Sequence, residues 1–325
     1  MATKPTIIVY ADSDHSACSF WRAIGPFNEL ERQGLINVIR GTYNESWTTL
    51  RRADMAFFQR PMSKRCKEQI FMAKDVGLKI WIDLDDYSVI PEYHPVFDVY
   101  ENEFDERLFF KYMLLADAVT VSTEFLKNHY LKYSNVIEIV PNAINDYWLS
   151  FKKPQQNNII FLRGGDHHDH DMYFYKNAII ELSNKHSMKV IICGSNPIYF
   201  QQEIDNYSYA GNFNLHSYFA YILRFKPAIF ALPFINCEFN RGKSNIGFLE
   251  ATLAGGTSLT PSWYNLDKYS FSYSDYDTFY SNLEEMIINP ELCKEKHSNA
   301  VKLVKDEYLL SNVNKKRIDI IKKLI

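Results

Sequence analysis

The sequence predicts an α/β protein of two Rossmann-like domains facing a central cleft. At 325 residues the chain exceeds one usual domain and suggests two of about 150 residues each. Short apolar runs alternate with amphipathic stretches, the pattern of parallel sheets covered by helices on both faces. The rhythm occurs twice, broken near 145–156 by the polar stretch KKPQQNN.

In the first half the predicted strands are TIIVYAD (6–12), ADMAFFQ (53–59), LKIWIDLDD (78–86), ADAVTVST (116–123) and VIEIVPNA (136–143). Between them FWRAIGPFNELERQG (20–34) and SKRCKEQIFMAKDVG (63–77) read as helices. The second half predicts strands in NNIIFLRGG (157–165), SMKVIICGS (187–195), PAIFALPF (227–234) and GGTSLTPS (255–262). Its helices are 171–185, 214–226 and 242–255, followed by a Lys-rich helical stretch over 290–325. These elements place one domain in 1–150, a second in 151–305, and a final helix in 306–325 packed across the domain junction.

Composition excludes several classes. Net charge is −3, so any polyanion site has to be a local patch rather than a basic surface. The five cysteines, Cys18, Cys66, Cys193, Cys237 and Cys293, show neither disulfide-framework nor zinc spacing. The first residues lead almost directly into a strand, and no run approaches the roughly 18 apolar residues of a membrane span. The expectation is a soluble protein of a reducing compartment, cytoplasmic, in the host cytoplasm if phage-encoded. There is no G-x-G-x-x-G, P-loop or G-x-S-x-G, which argues against dinucleotide enzymes, NTPases and α/β-hydrolases.

The chemistry concentrates in FNRGKSNIGFLEATLAGG (239–256). A helix starting near Gly242 sets Lys243 and Glu250 on one face, about 10 Å apart along the axis. Gly247 lies between them and offers bare backbone to a flat ligand. Lys243, the helix N-terminus and nearby Arg241 favour an anion. Glu250 repels phosphate but accepts hydrogen bonds from a sugar diol, each worth roughly 1.5–3 kcal/mol. Phosphate at one end and ribose at the other describe a nucleoside diphosphate, although a basic residue and a solvent-facing Glu also meet by chance on ordinary helices.

This segment resembles the nucleotide-binding helix of GT-B glycosyltransferases, especially the retaining family 4. That family's pattern is E-x7-E followed by A-x-A-x-G; here Glu250 and ATLAGG (251–256) match its second part, while Gly242 stands where the first Glu belongs. The Lys-Ser-Asn-Ile run before the acidic residue resembles a subgroup in bacteria and phages. SACSFWRAIGPFNEL (16–30) with Arg22, IDLDDYSVIPEYHPV (82–96) with its His-Pro pair, VPNAIN, and FLRGGDHHDHDM (161–172) follow the subgroup's order along most of the chain.

The resemblance implies a transferase that moves a sugar from a nucleotide diphosphate sugar, a UDP-sugar foremost, to a hydroxyl acceptor with retention. It makes 1–150 the acceptor-side domain and 151–305 the donor domain, with interdomain closure excluding water. Glu250 then takes the ribose; Arg163, Gly164, Lys243, Ser244 and Asn245 meet the donor; and His94, Asp85 and Arg22 are the catalytic-side candidates. Cationic side chains stabilise the leaving group, so no metal is required. The acceptor is open among a hydroxymethylated pyrimidine in phage DNA, a glycan and a protein side chain.

Two other readings accompany this one. Asp83 and Asp85 form an Asp-x-Asp after a strand, the device by which a metal-dependent GT-A enzyme holds its donor. The missing first Glu allows a non-catalytic GT-B-like subunit that binds a nucleotide or a partner. HHDHD (167–171) could pinch a cation, but no distant ligand set accompanies it; an N-cap at Asp169 or Asp171, or one histidine contacting donor or acceptor, is the stronger reading. The aromatics of 207–225 read as core and helix faces.

Overall fold

The chain's structure, a computed structural model, describes residues 4–11, 16–150, 156–164, 168–194 and 196–325. Asp14 and His15 of the first loop, Gly165 and His167 lie outside the described residues. The chain divides into two compact units: Met1–Asn142 with Gly242–Ser244 and Leu310–Ile325, and Ala143–Arg241 with Asn245–Leu309.

The first unit is a six-stranded parallel sheet: β1 (Thr6–Tyr10), β2 (Asn37–Arg40), β3 (Met55–Gln59), β4 (Lys79–Leu84), β5 (Ala118–Val121) and β6 (Ile137–Ile139), in the order β2-β1-β3-β4-β5-β6. The second has β7 (Gln156–Gly164), β8 (Lys189–Gly194), β9 (Tyr207–Tyr209), β10 (Pro227–Ala231), β11 (Thr257–Pro261) and β12 (Phe271–Tyr273), in the order β12-β11-β10-β7-β8-β9. Both are doubly wound α/β sheets. Strand order reverses between β1 and β3 in one and between β7 and β10 in the other. Ligands of such sheets bind beside the strand carboxyl ends at those reversals.

The strands predicted from apolar runs are all present. Three strands are additional: β2, β9 and β12, each at a sheet edge. An edge strand needs no continuous apolar run, and the residues of β2 and β9 are exposed or half-buried. The inner strands β3 and β11 are buried at every residue. In the first unit Phe27 packs 4.6 Å from Phe57 and 5.7 Å from Trp81, ring centre to ring centre. In the second, Ile160, Leu162, Val190 and Ile192 are among the strand residues of the core. Each such side chain contributes about 1.5–3 kcal/mol on burial.

Charge is also buried in the first unit. Arg22 is wholly inaccessible and grips Asp83 with two bonds, Nε to Oδ2 at 2.9 Å and Nη2 to Oδ1 at 2.7 Å. Its Nη1 donates to the Val140 carbonyl at 2.6 Å and to Asn142 at 3.1 Å. Thr120 donates to Asp83 Oδ1 at 2.6 Å. The helix Leu310–Leu324 buries Leu310, Val313, Ile320 and Ile321, and brings a second buried guanidinium, Arg317. Burial and the neighbouring Arg22 pull the pKa of Arg317 down to about 9, against the pull of Asp83. The lysines 302, 305, 315, 316, 322 and 323 are all exposed.

These two arginines differ in consequence. Arg22→Met strands Asp83 in the interior and is expected to destabilise by about 3–5 kcal/mol. Arg317→Met removes a cation that, among the described residues, bonds Asn314 and shares only the distant pull of Asp83, and it is expected to be neutral or stabilising. Urea unfolding of both variants checks the contrast, and equal losses would refute it.

Candidate active site

The reversal points of the two sheets select two groups of side chains, one in each unit. In the first unit β3 is followed by Arg60, and β4 by Asp85 and Asp86. Arg60 Nε donates to Asp85 Oδ1 at 2.9 Å, and Arg60 Nη2 lies 2.8 Å from the same oxygen and 3.6 Å from Asp86. Arg60 has φ +48, a left-handed conformation that costs a residue with a Cβ and tends to persist where the surroundings impose it. Its backbone N–H bonds the Asp83 carbonyl at 2.7 Å and so aims the side chain along the strand ends. Sequence reading passes over Arg60, although its place directly after AFFQ is the available signal.

Lys243 joins this group. Its Nζ bonds Asp86 Oδ1 at 2.8 Å and Oδ2 at 3.1 Å. Burial pushes the Asp86 carboxyl up, but Lys243 and Arg60 outweigh it and hold the group below the ordinary aspartate value. Ser244 accepts a bond from Asn142 Nδ2 at 2.8 Å. Burial and then Asp85 raise the pKa of the nearby Cys18 thiol, which keeps it neutral.

The predicted helix start at Gly242 is corrected by this arrangement. The helix runs over Ile246–Ala254, with Asn245 at its N-cap in a non-helical conformation. Lys243 and Ser244 are drawn to Asp86 and Asn142, so the anticipated first turn does not form. Lys243 and Glu250 therefore do not share a helical face. Gly247 does not present open backbone either: a Cβ there would meet Leu232 at 2.7 Å, and the glycine serves close packing on the chain after β10. Arg241 is exposed and bonds Asn236 at 2.8 Å.

Helix Ile246–Ala254 is buried at all nine positions and ends on Gly255 at φ +89. Glu250, at 1% exposure, is its one ionisable side chain. Arg163, near the end of β7, lies with Nε 2.8 Å from Glu250 Oε2, and Tyr218 OH donates to that oxygen at 2.8 Å. Oε1 takes neither bond. Burial pushes the Glu250 carboxyl up, and Arg163 and Tyr218 offset this only in part. Gly164 pairs with Gly194 across β7 and β8, leaving two strand ends side by side without side chains.

The segment after β10 is clipped in place. Tyr273 OH donates to the Leu232 carbonyl at 2.6 Å and accepts the Phe234 N–H at 2.6 Å. Asp171 accepts from Ile235 N at 3.0 Å and Asn240 Nδ2 at 2.8 Å, and meets His168 Nδ1 at 2.9 Å. The Asp171 end of HHDHD is thus a structural anchor.

The remaining sequence candidates lie in the first unit. Arg22, expected on the catalytic side, is turned wholly inward and works on Asp83. With Asp83 held by Arg22 and Thr120, and Asp85 by Arg60, the Asp-x-Asp does not present two free carboxylates to a cation. His94 is buried, its Nδ1 accepting the Val96 N–H at 3.3 Å. Asn245 bonds Tyr308 through its side chain.

No family model matches the sequence, and no curated protein matches it. Solved structures do. A glycosyltransferase from Rickettsia africae ESF-5 matches at 11% identity over 99% of this chain and 98% of that one, with a TM-score of 0.64. Anabaena HepE in complex with UDP-glucose matches at 10% identity over 98% and 99%, with a TM-score of 0.70. An alpha-glucosyltransferase in complex with UDP and a 13-mer DNA containing an HMU base matches at 10% identity over 98% and 100%, with a TM-score of 0.67. The fold class is therefore that of the GT-B glycosyltransferases, two Rossmann-like units in one chain.

The raised Glu250 pKa has a consequence for stability. A carboxyl that binds its proton more tightly when folded contributes stability in full below the ordinary value of 4.5, and the contribution is lost as pH rises through the raised one. Glu250→Gln removes that loss, so its Tm is expected to equal or exceed the wild type's at pH 7. Thermal melts from pH 4 to 8 check this, and a lower Tm at pH 7 than at pH 4, relative to wild type, would contradict it.

Proposed function

We propose that the chain is a glycosyltransferase of the retaining family 4 type, moving a sugar from a nucleotide diphosphate sugar, a UDP-sugar foremost, to a hydroxyl acceptor. The observation that carries the reading is the Arg163–Glu250 pair beside the β7–β10 reversal, on a fold shared with glycosyltransferases solved with UDP or UDP-glucose. A cation and a carboxylate side by side suit a diphosphate and the ribose diol next to it.

In this reading Glu250 accepts from the ribose, and Arg163 meets the diphosphate where Gly164 lets it come close. Lys243 exchanges Asp86 for the donor, and Ser244 and Asn245 complete its contacts. As the bond from the sugar's C1 to the phosphate oxygen breaks, the cations stabilise the charge left on that oxygen. The acceptor oxygen bonds C1 on the same face, and its proton passes to the departing phosphate oxygen. No protein nucleophile and no metal is called for. Asp85 and His94 serve the acceptor side, with Arg22 acting through Asp83 as a positioning residue. A hydroxymethylated pyrimidine in DNA is the first acceptor to test, since one neighbour was solved with DNA containing an HMU base; glycan and protein hydroxyls are the competitors.

The missing first Glu supports a second reading, a non-catalytic nucleotide-binding subunit. Turnover separates the two: only the transferase releases nucleoside diphosphate from a donor sugar.

A nucleoside diphosphate at about 100 times its Kd is expected to stabilise the wild type by roughly 2.7 kcal/mol and Glu250→Ala hardly at all. Thermal unfolding across a panel of nucleoside diphosphates reads this out. A well-folded wild type that no nucleotide shifts would end the donor-site reading.

A further inference from the structure

We infer that Tyr218 is a specificity-determining residue that lets Glu250 select ribonucleotides over their deoxy counterparts; the inference rests on the donor-site reading above. Three elements converge on one carboxylate oxygen: helix Ile246–Ala254 supplies Glu250, β7 supplies Arg163, and helix Leu215–Phe225 supplies Tyr218. Tyr218 is buried, and its ring centre lies 6.2 Å from that of Phe161 in β7 and 5.5 Å from that of Phe219. Its helix is fixed at the start by Asn214, whose side chain accepts the Ser217 N–H.

The terminal torsion of a glutamate is broad, so a single partner leaves the carboxylate plane free to turn. Here both donors reach Oε2, at 2.8 Å each. In the donor-site reading Arg163 shares its five N–H donors between Glu250 and the diphosphate. Tyr218 has one O–H and gives it to Oε2, so its hold on the carboxylate does not depend on where the guanidinium turns. A carboxylate held in one plane accepts from two adjacent hydroxyls of a ribose, whereas a turning one loses the second bond. Removing one hydroxyl from the nucleotide leaves a desolvated acceptor unmatched, the situation in which sites discriminate most strongly.

The test is calorimetric titration of wild type and Tyr218→Phe with UDP, 2′-deoxy-UDP and 3′-deoxy-UDP. The wild type is expected to prefer UDP by about tenfold or more, the ratio that one charge-assisted hydrogen bond supplies. Tyr218→Phe is expected to bind the deoxy nucleotides as the wild type does while its preference for UDP falls below about threefold. In a Glu250→Gln background the same substitution is expected to change nothing further. An unchanged preference in Tyr218→Phe, or an equal loss for all three nucleotides, overturns the inference and leaves Tyr218 a packing residue. A wild type that binds UDP without preference also overturns it, however the variant folds. A wild type that binds none of the three overturns this inference, and the donor-site reading falls with it only if no other nucleoside diphosphate binds.

Discussion

Asp83 lies inside a parallel sheet at 2% exposure, where an unpaired carboxylate would cost several kcal/mol, and much of the first unit is arranged to prevent that. Arg22 reaches it from a π-helical turn over Phe20–Ile24, a local widening of the kind often found at functional positions. The same guanidinium holds the Val140 carbonyl and Asn142, so one ion pair links β4 to the segment after β6. Asn142 in turn holds Ser244. Two residues past Asp83, Asp85 emerges at the strand end and takes Arg60; the next residue, Asp86, takes Lys243. The charges at the strand ends are thus ordered by a charge buried beneath them.

The second unit carries the same constraint in a costlier form. Glu250 is embedded in a helix whose other eight residues are buried and carry no charge. Burial raises its pKa despite two donors, so at neutral pH it detracts from stability. A residue that breaks a local rule without a folding benefit is expected at a functional site, where stability is exchanged for activity. Arg60, in a left-handed conformation without the freedom of glycine, is the corresponding departure in the first unit.

Positioning in both units relies on backbone clips more than on the sheets alone. Tyr273 and Asp171 together satisfy four backbone or amide groups in the segment after β10. That segment carries Leu232, against which Gly247 packs, so the clip also sets how closely the Glu250 helix approaches β10.

The sequence by itself determined the two doubly wound sheets and the neighbourhood of the site. Strands buried on both faces have to be apolar runs, so eight inner strands and the edge strand β6 were readable, whereas the edges β2, β9 and β12 follow no such rule. FLRGG and GFLEATLAGG marked Arg163 and Glu250 because residues after a strand and an acid in an apolar helix stand out locally. Partners were not readable. Arg60 meets a residue 25 positions away, Tyr218 one 32 away, Arg22 one 61 away and Lys243 one 157 away. Tyr218 looked like one more core aromatic, and Lys243 like the first turn of a helix. Only the tertiary structure decided them, because a buried charge takes whichever counter-charge the fold brings within about 3 Å, and local propensity has no say in which segment that is.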